Sequence, residues 1–142
     1  MLPYTTYIIP ERQIDKTGTQ GKWLWLLLRK PVPDEQIPLL EKISTALKAD
    51  FRRDTYCLAL EQHERITLHD YYEVTPTLIL SFGLAPSEFG IWIDLPQYGI
   101  RFFDATTLIY AASLPELEKN ASLKKELWKH MQQFLERSAL HG

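Results

Sequence analysis

The densest group of side chains able to do chemistry is His69-Asp70, with Glu73 four residues after His69 and His63-Glu64 just upstream. On a helix, positions 69 and 73 share a face. An imidazole and a carboxylate so placed would suit acid–base work or two positions of a metal site. Either chemistry needs further groups converging from elsewhere, and this spacing matches no known ligand pattern, so a solvated polar face is the plainer reading. His130 sits among charged residues near the C-terminus and takes a surface role. Cys57 is the single cysteine. It lies in Tyr56-Cys57-Leu58-Ala59-Leu60, where a buried, inert thiol is expected rather than a nucleophile. Gly83 and Gly90 are isolated: neither GxGxxG nor GxxxxGK[ST] occurs, so no phosphate-cradling loop is expected. Ser81 and Ser87 lack the GxSxG turn of a nucleophile elbow. No catalytic set, metal or cofactor is expected.

The aromatics Tyr71, Tyr72, Trp92, Tyr98, Phe102 and Phe103 would suit a base-stacking platform only if basic residues were interleaved among them. Arg101 alone breaks the series, and the net charge of −2 gives no pull toward nucleic acid or an anionic membrane. Core packing is the expected role, without direct contact to nucleic acid.

These residues need elements to hold them. The chain has 142 residues, 45% hydrophobic and 24% charged, enough for one domain with a substantial core. No basic start followed by a long apolar run opens the sequence, and the longest apolar run, Trp23 to Leu28, is six residues. A cytoplasmic protein without a membrane span is therefore expected. Thr77 to Phe82, opened by Pro76 and closed by Gly83, is too short for three helical turns and suits a strand buried on both faces. Trp23 to Leu28 is apolar on both alternating faces and predicts a central parallel strand, and Thr55 to Leu60 a second buried strand. Between these two, Ile37, Leu40, Ile43 and Leu47 recur at helical spacing, with Asp34 as the expected N-cap and Pro38 tolerated in the first turn. Ile66 to Val74 would form a short helix before Pro76. The order predicts parallel βαβ units with Trp23–Leu28 between the other two strands.

Further on, Ile91-Trp92-Ile93 and Ile100 to Phe103 suggest a hairpin or an irregular strand pair, and 104–112 a loop or a further strand through Leu108-Ile109-Tyr110. Ser113 and Glu116 have capping-box spacing. Asn120 offers a second cap, opening a helix from Ala121 to about Arg137 whose stripe is Leu123, Leu127, Trp128, Met131, Phe134 and Leu135.

Residues 1–22 form an arm and linker ahead of a domain at 23–142. They admit two readings: an edge strand or short helix followed by a loop, or a semi-detached arm whose Tyr4, Tyr7, Ile8 and Ile9 dock on a partner, ordering on contact.

Leu78-Ile79-Leu80-Ser81-Phe82-Gly83, and then Leu114-Pro115-Glu116-Leu117, Asn120, Lys124 and Leu127-Trp128-Lys129-His130-Met131, bring in a resemblance. The second stretch resembles the C-terminal end of bacterial DNA polymerase III psi subunits, where a short P-x-L turn, an Asn and a final Lys/Arg-x-x-Leu-Trp helix come in that order. The likeness runs in order over roughly residues 23–135 and is closest in the last third. It implies a three-layer α/β/α fold with a central, mostly parallel sheet of 4–5 strands, similar to uracil-DNA glycosylases but without their catalytic residues. Psi subunits are not enzymes. They bind the clamp-loader collar through an N-terminal segment and bind chi, which contacts single-strand-binding protein. The resemblance thus implies a clamp-loader adaptor with Tyr4, Tyr7, Ile8 and Ile9 as its partner-binding residues, although Tyr4 to Ile9 departs from the family's usual segment. Two alternatives stay open. One is a small nucleotide- or nucleobase-related enzyme or binding protein using the C-terminal ends of the parallel strands, at Arg29, Lys30, Glu61 and Gly83. The other is a homodimer joined through Trp92 and its neighbours.

Overall fold

A computed structural model of the chain describes residues 22–71, 75–91, 99–103 and 105–141. Its frame is a five-stranded sheet. The strands are β1 (Leu24–Arg29), β2 (Thr55–Leu60), β3 (Leu78–Phe82), β4 (Ile100–Phe103) and β5 (Thr106–Ala111), in the order β2-β1-β3-β5-β4. Pairs β1/β2, β1/β3 and β3/β5 are parallel and β4/β5 is antiparallel. The sheet is therefore mostly parallel, and β1 lies between the other two early strands.

Side-chain alternation splits the core in two. Leu24, Leu26 and Leu28 of β1, Leu78, Leu80 and Phe82 of β3, and Ile109 and Ala111 of β5 face one side. Trp25, Leu27, Ile79 and Leu108 face the other. Strands carrying large apolar residues at both parities can be stable only when covered on both faces.

On the first face lie α1 (Ile37–Ala46), α2 (Leu114–Lys119) and α3 (Ala121–His141). Helix α1 buries Leu40 and Ile43, with Leu47 just beyond, and holds Pro38 in its first turn, where a missing N–H costs little. Asp34 does not cap it. A 3-10 turn (Asp34–Gln36) precedes the helix, and no side chain caps either element. Pro33, with extended backbone (φ −63°, ψ 150°), stands immediately before this turn.

Helix α3 buries Leu127, Met131 and Phe134, each adding up to about 1.5–3 kcal/mol. Asn120 caps it: its Oδ1 accepts the N–H groups of Ser122 (3.0 Å) and Leu123 (3.3 Å). Asn120→Ala should cost about 1 kcal/mol, seen as a small drop in thermal midpoint with an unchanged fold. Ser113 stands at the N-cap of α2, but its hydroxyl donates to the Glu116 carboxylate (3.0 Å) and the expected box with the backbone is not made.

The second face is covered differently. The connection from β2 to β3 crosses it with a 3-10 turn (Leu68–Tyr71), and the chain leaving β3 adds another (Pro86–Phe89). Leu68, Leu84 and Phe89 supply the buried contacts, with Ile66, Tyr71 and Ile91 around them. The helix expected over 66–74 is thus only this 3-10 turn among its described residues. All three α-helices of the described residues pack on one face, and the other face is covered among those residues by 3-10 turns and loops. The polar stretch after β2 has too few apolar residues at helical spacing to sustain several turns.

Ile100–Phe103 pairs with β5, Phe103 opposite Thr106. The hairpin expected with 91–93 falls largely on residues outside the described ones, and so do Trp92 and Tyr98. Residues 106–111, for which the sequence allows loop or strand, form β5. Thr106 is anchored where its hydroxyl donates to the Pro76 carbonyl (2.7 Å), tying the start of β5 to the entry of β3. No helix of the described residues is long and apolar enough to cross a membrane.

Candidate functional site

In a parallel sheet, ligands gather outside the carboxyl ends of the strands where the winding direction reverses. Here the chain leaves β1 toward β2 and leaves β3 toward β5, so that point falls between β1 and β3. Two adjoining open depressions mark it. One, on the helical side and about 290 Å³, is lined by Leu28, Pro31, Gln36, Phe82, Ser113 and Leu114 among others. The second, about 350 Å³, is lined by Arg29, Gln62, His63, Arg65 and Glu88. Arg29 and Gln62 belong to both. The strand-end residues Arg29, Lys30, Glu61 and Gly83 are brought together here, as expected from the order of strands.

Their charged groups are ion-paired. The half-buried Arg29 guanidinium donates to the backbone carbonyls of Glu61 and Glu64 (3.2 Å for the latter) and is ion-paired with Glu88. The other carboxylate oxygen of Glu88 accepts the Ala85 N–H at 2.9 Å. One planar fork therefore ties the exit of β1, the loop after β2 and the turn after β3. Lys30 pairs with Glu61 (2.8 Å) in the open, a contact worth at most about 1 kcal/mol. Gln62 donates to the Lys30 carbonyl at 2.7 Å. Gly83 has φ +75°, and a Cβ there would lie 3.0 Å from the Ser113 Cβ. Close approach of the β3 and β5 exits requires glycine at 83, so its role is packing and not a phosphate turn. What remains is a crevice with largely apolar walls on the helical side, where Arg29, Lys30, Glu61 and Glu88 answer one another, and a polar second depression to which exposed His63 and Arg65 also contribute. No protein-family model matches the chain. Curated proteins offer no match either.

The other candidates fall as follows. No group of three or more His, Cys, Asp or Glu placed to hold a metal occurs among the described residues. The side chains of His69, Asp70 and Glu73 lie outside them. His63 has a left-handed backbone (φ 65°) and is exposed.

Cys57 is corrected in part. It presents surface on the outermost parallel strand instead of being buried. Protein atoms crowding its sulfur still penalise the thiolate and push the thiol up to about 11, so it stays protonated at neutral pH and is a poor nucleophile.

His130 is also corrected. It is 9% exposed, its Nδ1 3.2 Å from Gln133 Oε1 and its Nε2 3.5 Å from Glu126. Among the aromatics, Tyr71 packs into the second core and Phe102 lies under the Arg137 guanidinium at 4.5 Å.

Tyr4, Tyr7, Ile8 and Ile9 lie outside the described residues. Two features escape a reading of the sequence: Glu88 as the anchor of Arg29, and Trp128 as an exposed residue (37%) rather than part of the buried stripe. Glu88 has no pattern in sequence. Trp128 has one, because positions 127, 131 and 134 define a helical arc at whose margin 128 falls.

Proposed function

We propose that this protein is a non-catalytic adaptor, a psi-like accessory subunit of the replicative clamp loader acting by contact with other proteins. The observation that carries the reading is the engagement of Arg29 with Glu88 and two carbonyls. The cation best placed at the ligand-binding edge of the sheet holds the scaffold together. The residues that resemble the family also have coherent roles: Leu114 and Leu117 dock α2, Asn120 caps α3, and Leu127 and Met131 fix it to the sheet. A scaffold of the uracil-DNA-glycosylase type belongs to the same reading. Collar subunits would be bound through Tyr4, Tyr7, Ile8 and Ile9, and a chi-like protein is a further partner.

Affinity purification of the tagged full chain from its host tests this. Clamp-loader subunits should co-purify, and deleting residues 1–10 should abolish their recovery while leaving the melting transition in place. Recovery without clamp-loader subunits, or undiminished recovery after the deletion, defeats the proposal. One observation favours a second reading, a small nucleotide- or nucleobase-related binding protein or enzyme. That observation is the crevice of about 290 Å³ at the reversal point between β1 and β3. A thermal shift with one member of a nucleotide and nucleobase panel would select it.

A further inference from the structure

We propose that the outer face of α3 around Trp128 is a docking surface for an acidic segment of a partner protein, one bringing an apolar side chain to lie against the indole. Three tryptophans fall among the described residues. Trp23 is stacked on Phe134, centroids 6.3 Å apart. Trp25 is fully buried, meets Tyr56 edge-on at 4.9 Å and donates its indole N–H to the Lys22 carbonyl at 3.1 Å. Trp128 has neither kind of tie among the described residues. It is 37% exposed, its N–H has no acceptor there and its ring no aromatic or cationic partner. A large amphipathic ring with an unused donor is the side chain that most often dominates a binding surface.

Its surroundings define the partner. Lys124 and Lys125 precede Trp128 by four and three residues and share its side of the helix; Lys129 follows it directly. None of the three is ion-paired among the described residues. Glu126 lies on another side of the helix, its carboxylate 3.5 Å from His130 Nε2. Half-buried Leu135, two turns on, prolongs the apolar strip, and on this side the next carboxylate is Glu136, about 12 Å further along the axis. A chain of net charge −2 thus concentrates unmatched positive charge around one open tryptophan.

Charge complementarity selects among occupants. Residues 1–21 carry Glu11 and Asp15 against Arg12 and Lys16, two of each sign and net zero. A second copy in a two-fold contact would set lysines against lysines. An acidic segment neutralises the three ammonium groups and offers carboxylates to the indole N–H. This assignment does not depend on membership of a clamp loader.

The test is fluorescence anisotropy with the full chain and a fluorescein-labelled peptide of Asp and Glu residues around one Phe. Saturable, salt-weakened binding is expected. Trp128→Ala and the double variant Lys125→Glu/Lys129→Glu should each weaken it roughly tenfold or more while melting like the parent. The same peptide with Ser in place of Phe should bind more weakly and be indifferent to Trp128→Ala. Absence of saturable binding, equal binding of a Lys-based peptide, or unchanged affinity in both variants overturns the proposal. So does a dimer in sedimentation that Trp128→Ala dissolves, since a second copy would then own the surface.

Discussion

Leu80→Asp is expected to yield no soluble protein with a cooperative melting transition. Leu80 is fully buried in β3, paired with Leu26 of β1 on one side and Ile109 of β5 on the other. Its side chain points into the core shared with all three helices. Two costs add there. Removing the leucine side chain forfeits about 2–5 kcal/mol. A carboxylate in the same space has no cation among the residues of that cluster, which adds several kcal/mol or forces protonation. Against a total stability of about 5–15 kcal/mol for a domain, the sum unfolds the protein. Leu80→Ala separates the terms: it should remain folded with a midpoint lowered by the cavity cost alone. Circular dichroism melts of both variants decide the matter. An Asp variant melting cooperatively within a few degrees of the parent would remove β3 from the centre of the sheet.

The same strand shows how much the amino-acid order makes plain by itself. Leu78, Ile79, Leu80 and Phe82 are apolar at both parities and bounded by Pro76 and Gly83, so burial on both faces follows from composition alone. The position of β1 between β2 and β3 follows from chain order plus the handedness of crossovers. Asn120 is legible because a cap is a local event. The coverings of the second face are not, since Leu68, Leu84 and Phe89 are scattered apolar residues without a period. Nor is the pairing of β4 with β5, because the residue types at 104–112 allow loop or strand equally. At the strand ends, Arg29, Lys30, Glu61 and Gly83 can be placed together from topology, but not the direction in which their polar groups point. Glu88 is 59 residues from Arg29, and no spacing rule links them. The exposure of Trp128 is half legible: its place at the margin of the arc set by 127, 131 and 134 can be read, but not that packing leaves it uncovered.

The second large effect is expected from Arg29→Ala, and it bears on function because it asks whether the carboxyl edge of the sheet is a brace or a binding site. The side chains of Arg29 and Glu88 are 21% and 26% exposed, closed enough for loss of one partner to matter, open enough for water to soften the loss. Alanine leaves the Glu88 carboxylate with the Ala85 N–H alone and leaves the carbonyls of Glu61 and Glu64 without this donor. A destabilisation of about 2 kcal/mol follows, lowering the midpoint by roughly 5–10 °C. Arg29→Lys should recover only part of it, because an ammonium group cannot reproduce the planar fork that spans three loops. Glu88→Gln should cost less than Arg29→Ala, since the amide oxygen can still accept from Ala85 or Arg29. If Arg29→Ala melts like the parent, the guanidinium braces nothing and is free to meet a ligand. The reading as a nucleotide- or nucleobase-binding protein would then gain what the adaptor reading loses. If it destabilises as stated, the group with most to offer an anion is held in place by the fold's own carbonyls and carboxylate. The guanidinium at this edge of the sheet is then a brace of the fold and not a group waiting for a ligand.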